Sequence, residues 1–105
     1  MGDIVEKPGT KVRTKTKTKT QRPRLHKVIL VNDDYTPREF VVKVLKGVFH
    51  MSEEQAYRVM ITAHQKGVCV VAVYTREIAE TKATEATMEG ERAGFPLHFT
   101  TEPEE

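Results

Sequence analysis

Residues 26–48, HKVILVNDDYTPREFVVKVLKGV, set an apolar run, an acidic turn and an amphipathic helix end to end without a gap. Lys27 to Val31 is short, aliphatic and β-branched, which predicts a strand buried on at least one face. The run stops at Asn32, and Asp33, Asp34 and Tyr35 carry turn chemistry. Thr36-Pro37-Arg38-Glu39 then matches a capping box, with Thr36 at N-cap, Pro37 at N1 and Glu39 at N3, so a helix is predicted to begin at Pro37. Phe40, Val41, Val44, Leu45 and Val48 form its apolar stripe, and the helix is predicted to reach about Phe49.

This order gathers polar acceptors at the end of a strand and the mouth of a helix, with apolar residues directly behind. The carboxylates of Asp33 and Asp34 and the amide oxygen of Asn32 suit a cation such as an ammonium group, whereas an anion would meet like charge. The same residues also suit an Asx-turn whose carboxylates offset the dipole of the following helix.

Further along the chain, Ser52-Glu53-Glu54-Gln55 is a second capping box, and the helix it opens runs through Ala56, Val59, Met60 and Ala63 to Lys66, where Gly67 stops it. Val68 to Tyr74 reads as a second strand. Thr75 is placed to cap a third helix, Arg76 to about Arg92, whose shallow apolar face holds Ile78, Ala79, Ala83, Ala86 and Met88. Gly94 and Pro96 end it, Leu97 to Thr100 is a short third strand, and residues 102–105 form a solvated acidic tail. The order βααβαβ predicts an α+β domain over residues 25–101, with three helices on one face of a small three-stranded sheet.

Toward the N-terminus, residues 1–24 carry eight Lys or Arg against two acids, a net +6, while residues 25–105 carry nine against thirteen, a net −4. KVRTKTKTKTQRPR cannot bury enough apolar surface to offset its ordering entropy, so residues 1–24 are expected to be a disordered basic arm. A basic arm suits nucleic acid or an acidic membrane surface, and a nucleic-acid- or ribosome-associated module is the alternative function it suggests, but no aromatic residue interrupts it to stack on bases, so that signal is generic.

With 105 residues the chain is one domain at most. Its single cysteine, Cys69, lies in a β-branched run and reads as a strand thiol rather than a nucleophile. Neither a signal peptide, a membrane-length apolar run nor a myristoylation pattern is visible, so a cytoplasmic protein is expected.

Met60, Ala63 and His64 lie at i, i+3 and i+4 and so share one face of the second helix. A lone histidine near a helix end is also at home as a capping or core-edge residue. Pairing His64 with Asp34 as acid and base would make an enzyme, but no nucleophile motif, phosphate loop, HExxH or cofactor fingerprint accompanies them. No catalytic residue, metal or cofactor is expected.

Three segments in order, VNDDYTPREFVVKVL (31–45), MITAHQ (60–65) and VYTREIAETK (73–82), resemble ClpS, the bacterial adaptor of the Clp protease, over residues 26 to about 101. The resemblance implies a mainly antiparallel three-stranded sheet. It implies that the chain binds proteins with a destabilising N-terminal residue and delivers them to a ClpA-type unfoldase, with the N-terminal extension taking part in delivery. Carried over, Asn32, Asp34 and His64 would surround the α-amino group of the bound residue, with Asp33 as an acidic neighbour. Leu30, Thr36, Val41, Met60, Ala63 and Leu97, close to Arg38, would line its side-chain pocket, although Leu30, Val41 and Leu97 read equally well as ordinary core. Tyr35, Glu77 and Lys82 would contact the N-terminal domain of the unfoldase. Two positions depart from the family pattern, as in a divergent paralogue: Arg38 stands where most members have methionine, and Ala63 where many have valine. Ala63 is expected to deepen the pocket and Arg38 to fold its stem over the rim, shifting the preference among Phe, Tyr, Trp and Leu.

Overall fold

The computed structural model describes residues 23–105. The arm expected over residues 1–24 therefore lies outside the described residues up to position 22. The elements are β1 (Leu25–Val31), α1 (Arg38–Phe49), α2 (Glu53–Lys66), β2 (Val68–Thr75), α3 (Arg76–Ala93) and β3 (His98–Pro103). This is the βααβαβ order and the α+β fold that the sequence predicts.

β1 is the central strand of a sheet ordered β2-β1-β3, and it runs antiparallel to both neighbours. Alternation along it sends Val28 and Leu30 into the core, where both are at most 2 % exposed. Phe99 of β3 pairs with Leu30 and joins them on that face. The helices supply the other half of the core: Val44 and Leu45 from α1, Ala56 and Met60 from α2, Ala83 and Ala86 from α3. A bulge between Val28 and Ile29 leaves Val71 of β2 without a partner.

α2 follows its local signals. The Ser52 hydroxyl accepts from the Gln55 N–H at 3.1 Å, and Gly67, at φ 90°, closes the helix with its N–H on the Ala63 carbonyl.

α1 departs from them. The expected capping box does not form: the helix begins at Arg38, Pro37 stands at N-cap, and the Pro37 carbonyl accepts from Phe40 N–H and Val41 N–H. The Thr36 hydroxyl is instead turned back to donate to the Asp33 carboxylate at 2.9 Å, a charge-assisted bond.

The buried stripe of α3 is Ala79, Ala83, Ala86 and Gly90, at helical spacing. Ile78 and Met88, expected on that face, are rotated off it and are 48 % and 43 % exposed. The small residues let α3 lie close on the chain before β3, where a Cβ added to Gly90 would come within 2.8 Å of the Leu97 Cβ.

β3 also runs further than expected. Glu102 and Pro103, read as tail, pair with Lys27 and His26, and the Glu104 N–H donates to the Leu25 carbonyl at 2.8 Å. Backbone pairing and the Lys27–Glu102 ion pair at 3.2 Å hold this end without apolar side chains.

Candidate functional site

The strand end, the acidic turn and the far end of α2 converge on one pocket of about 320 Å³. Its lip is polar. Asn32, Asp33 and Asp34 come from the turn after β1, and His64 comes from the last turn of α2. A single backbone bond fixes these two halves together: the Asn32 N–H donates to the Gly67 carbonyl at 2.9 Å, in the turn that ends α2.

The turn itself is organised by Asp33. Its Oδ1 accepts from Tyr35 N–H at 2.8 Å and Thr36 N–H at 2.7 Å, and its Oδ2 accepts from the Thr36 hydroxyl at 2.9 Å. One carboxylate therefore carries the Asx-turn. Among the described residues, no hydrogen bond engages the side chains of Asn32, Asp34 or His64. The two aspartates that look alike in sequence thus divide the work, Asp33 shaping the loop and Asp34 standing exposed with its oxygens available.

The floor is apolar and belongs to the core. Leu30, Val41, Met60, Ala63 and Leu97 line it, and each is at most 7 % exposed. Each packs into the core on one side and lines the cavity on the other. Thr36 and the exposed Arg38 form the rim. Every residue expected at the lip or in the side-chain pocket lines this one cavity. Val31 and Pro37 line it too; neighbours of predicted residues on both sides, they were within reach of the sequence by position alone.

The three residues expected to meet an unfoldase are distributed differently. Tyr35, 81 % exposed, stands on the pocket rim. Glu77 is in the exposed first turn of α3. The Lys82 ammonium donates to the Val48 carbonyl at 2.9 Å, satisfying an unpaired acceptor at the C-terminal end of α1.

Cys69 is half-buried, its thiol donating to the Val70 carbonyl at 3.5 Å, and burial pushes its pKa up while Lys66 lowers it slightly. No described helix is long and apolar enough to cross a membrane.

The family model for the ATP-dependent Clp protease adaptor protein ClpS matches residues 21–100. The chain belongs to the ClpS family. ATP-dependent Clp protease adapter protein ClpS 2 of Mesorhizobium japonicum is 69 % identical to it over 105 residues, the whole of both chains. ClpS 1 of Bradyrhizobium diazoefficiens is 66 % identical, again over the full length of both. Among solved structures, Agrobacterium tumefaciens ClpS2 bound to L-phenylalaninamide superposes with a TM-score of 0.78 at 67 % identity, covering 79 % of this chain and 100 % of that one. The family is one of adaptor proteins for the Clp protease.

Proposed function

We propose that this ClpS-family adaptor binds the free α-amino group and the bulky hydrophobic first residue, Phe, Tyr, Trp or Leu, of substrate proteins. It then delivers them, in the cytoplasm, to a ClpA-type AAA+ unfoldase for degradation by the Clp protease. The observation that carries this reading is the joining of a polar lip, Asn32, Asp34 and His64, to an apolar floor in one pocket of about 320 Å³, at the small end of ligand sites. The relative that holds L-phenylalaninamide, an aromatic residue with a free amine, supports it.

The chemistry selects chain starts. An α-amino group has a pKa of about 7.7 to 8.0, so it is largely cationic at neutral pH, and it presents three donors where an internal amide presents one. Asn32 Oδ1, the Asp34 carboxylate and the His64 ring supply partners around it, and Asp33 adds negative charge behind them. Charge-assisted hydrogen bonds contribute about 1.5 to 3 kcal/mol each, and burying a large apolar side chain about 1.5 to 3 more. Together these reach micromolar affinity, about −8 kcal/mol, provided the pocket is preformed. A floor drawn from the core and a turn tied to Gly67 supply that preorganisation.

Within this reading, Ala63 leaves the floor deeper than a valine would, and Arg38 lays its stem along the rim. Exchanging Arg38→Met is expected to change the relative affinities for Phe-, Tyr-, Trp- and Leu-initiated peptides. Tyr35, Glu77 and Lys82 are the positions for the unfoldase N-terminal domain; the Lys82 ammonium keeps two donors beyond the one given to Val48.

Fluorescence anisotropy with a Phe-initiated peptide and its N-acetylated twin tests the proposal. Acetylation removes the charge and two donors, and at least a hundredfold loss of affinity is expected, about two charge-assisted bonds. Equal binding of the two peptides, or of neither, overturns it. A nucleic-acid module would instead bind RNA or DNA with steep salt dependence.

A further inference from the structure

Beside the pocket lies a groove of about 810 Å³ between α1 and α2, and Arg38 and Met60 line both. Its α1 side is open at Gly47, where an added Cβ would meet nothing within 4 Å, and its α2 side carries Tyr57, 53 % exposed. None of Asn32, Asp34 and His64 lines it, so the polar lip is no part of its wall.

We propose that this groove is a second subsite, which takes the third side chain of the same bound N-terminal segment and prefers an aromatic ring. The inference rests on the proposed recognition of a free chain start in the adjoining pocket. An extended chain sends alternate side chains to opposite sides, and residues one and three stand about 6.6 Å apart on the same side. With the first side chain down in the pocket, the second faces water and the third returns to the protein just beyond the shared wall. There it meets Val42, Tyr57 and the edge of Met60.

Charges of both signs line the groove, Arg38, Lys43 and Lys46 against Glu39 and Glu53, with Lys46 and Glu53 paired at 3.0 Å. An aromatic ring gains most: it covers the apolar floor, lies against Tyr57, and presents its face to the Arg38 guanidinium.

Gly47→Leu is the decisive variant. It fills the groove without touching the pocket, and it replaces a glycine inside α1 by a better helix former, so the fold is kept. Anisotropy on the full chain would compare Phe-Ala-Trp-, Phe-Ala-Gly- and Phe-Trp-Ala-initiated peptides, with L-phenylalaninamide as competitor.

The Phe-Ala-Trp peptide is expected to bind about five- to tenfold tighter than Phe-Ala-Gly, the gain from a partly covered ring, with less gain when Trp is second. In Gly47→Leu that preference should shrink below about twofold while L-phenylalaninamide competes as before. Phe-initiated peptides that bind with no regard to the third residue overturn the subsite alone. So does a preference that survives Gly47→Leu, or one equally strong at the second position. Failure of every Phe-initiated peptide to bind overturns the pocket reading and the subsite with it.

Discussion

The lip and the floor of the pocket are neighbours held by different forces. The turn over residues 32–37 is shaped by three hydrogen bonds to one carboxylate and a single backbone tie to Gly67. The floor is close-packed side chain, Leu30, Val41, Met60, Ala63 and Leu97, at most 7 % exposed. Packing cannot be altered at one wall of the cavity without being felt in the core, whereas an exposed carboxylate can be changed at little cost to the fold. Depth and breadth of the pocket are therefore tied to stability. The exposed charge of Asp34 is not.

Leu97 offers the sharpest way to break this contrast. It is 2 % exposed, wedged against Gly90 of α3, and it also lines the pocket. Leu97→Ala is expected to lower unfolding stability by about 2 to 5 kcal/mol in urea titration and to weaken Phe-peptide binding together with it. Lost binding with stability changed by less than about 1 kcal/mol would show the floor to be separable from the core.

Asp33→Ala comes next. It leaves Tyr35 N–H, Thr36 N–H and the Thr36 hydroxyl without their acceptor, costing about 1 to 3 kcal/mol, and loosens the turn that presents Asn32 and Asp34. Amide exchange at Tyr35 and Thr36 should quicken and peptide affinity fall about tenfold or more. Asp33→Asn keeps an oxygen for the two backbone donors, so it should recover most of the loss if geometry, and not charge, is what Asp33 supplies.

How far these roles could be read in the sequence depends on whether the deciding contact is local. α2 was fully legible, because Ser52, Gln55 and Gly67 settle its ends within one turn. Thr36 was not: its hydroxyl can point to the helix end and accept there, or turn back and donate to Asp33, and the residue types permit either orientation. Asn32-Asp33-Asp34 reads as an Asx-turn or as a cation site, and the structure gives the turn to Asp33 while leaving Asp34 open. The end of β3 was missed because backbone pairing of Glu102 and Pro103 leaves no hydrophobic pattern. In α3 the burial of Ala79 rather than Ile78 is set by how near the helix lies to the sheet, which no window of its own sequence contains. That the lip would take an amine is what the resemblance implies; the residues alone did not decide between that and a plain turn.

Asp34→Asn separates charge from fold most cleanly. Asp34 is exposed, and no described residue bonds its side chain, so stability should stay within about 0.5 kcal/mol. Affinity for a Phe-initiated peptide should fall about tenfold, one charge-assisted bond made neutral.

The smallest effect belongs to the ligand's own titration. Near an amine pKa of about 7.7 to 8.0, the cationic fraction roughly halves between pH 7 and pH 8, and affinity should fall about twofold over that interval, then about sixfold to pH 9. The sign follows from the proposed amine site: the Asp34 carboxylate and the Asn32 amide oxygen are acceptors, so the protonated amine is the form it would bind. A first residue carrying fluorine on its β carbon has a less basic amine, and with it the decline should begin at lower pH. A decline that stays at the same pH for both ligands would place the titrating group on the protein, and the lip would then owe its selectivity to something other than the charge of the chain start.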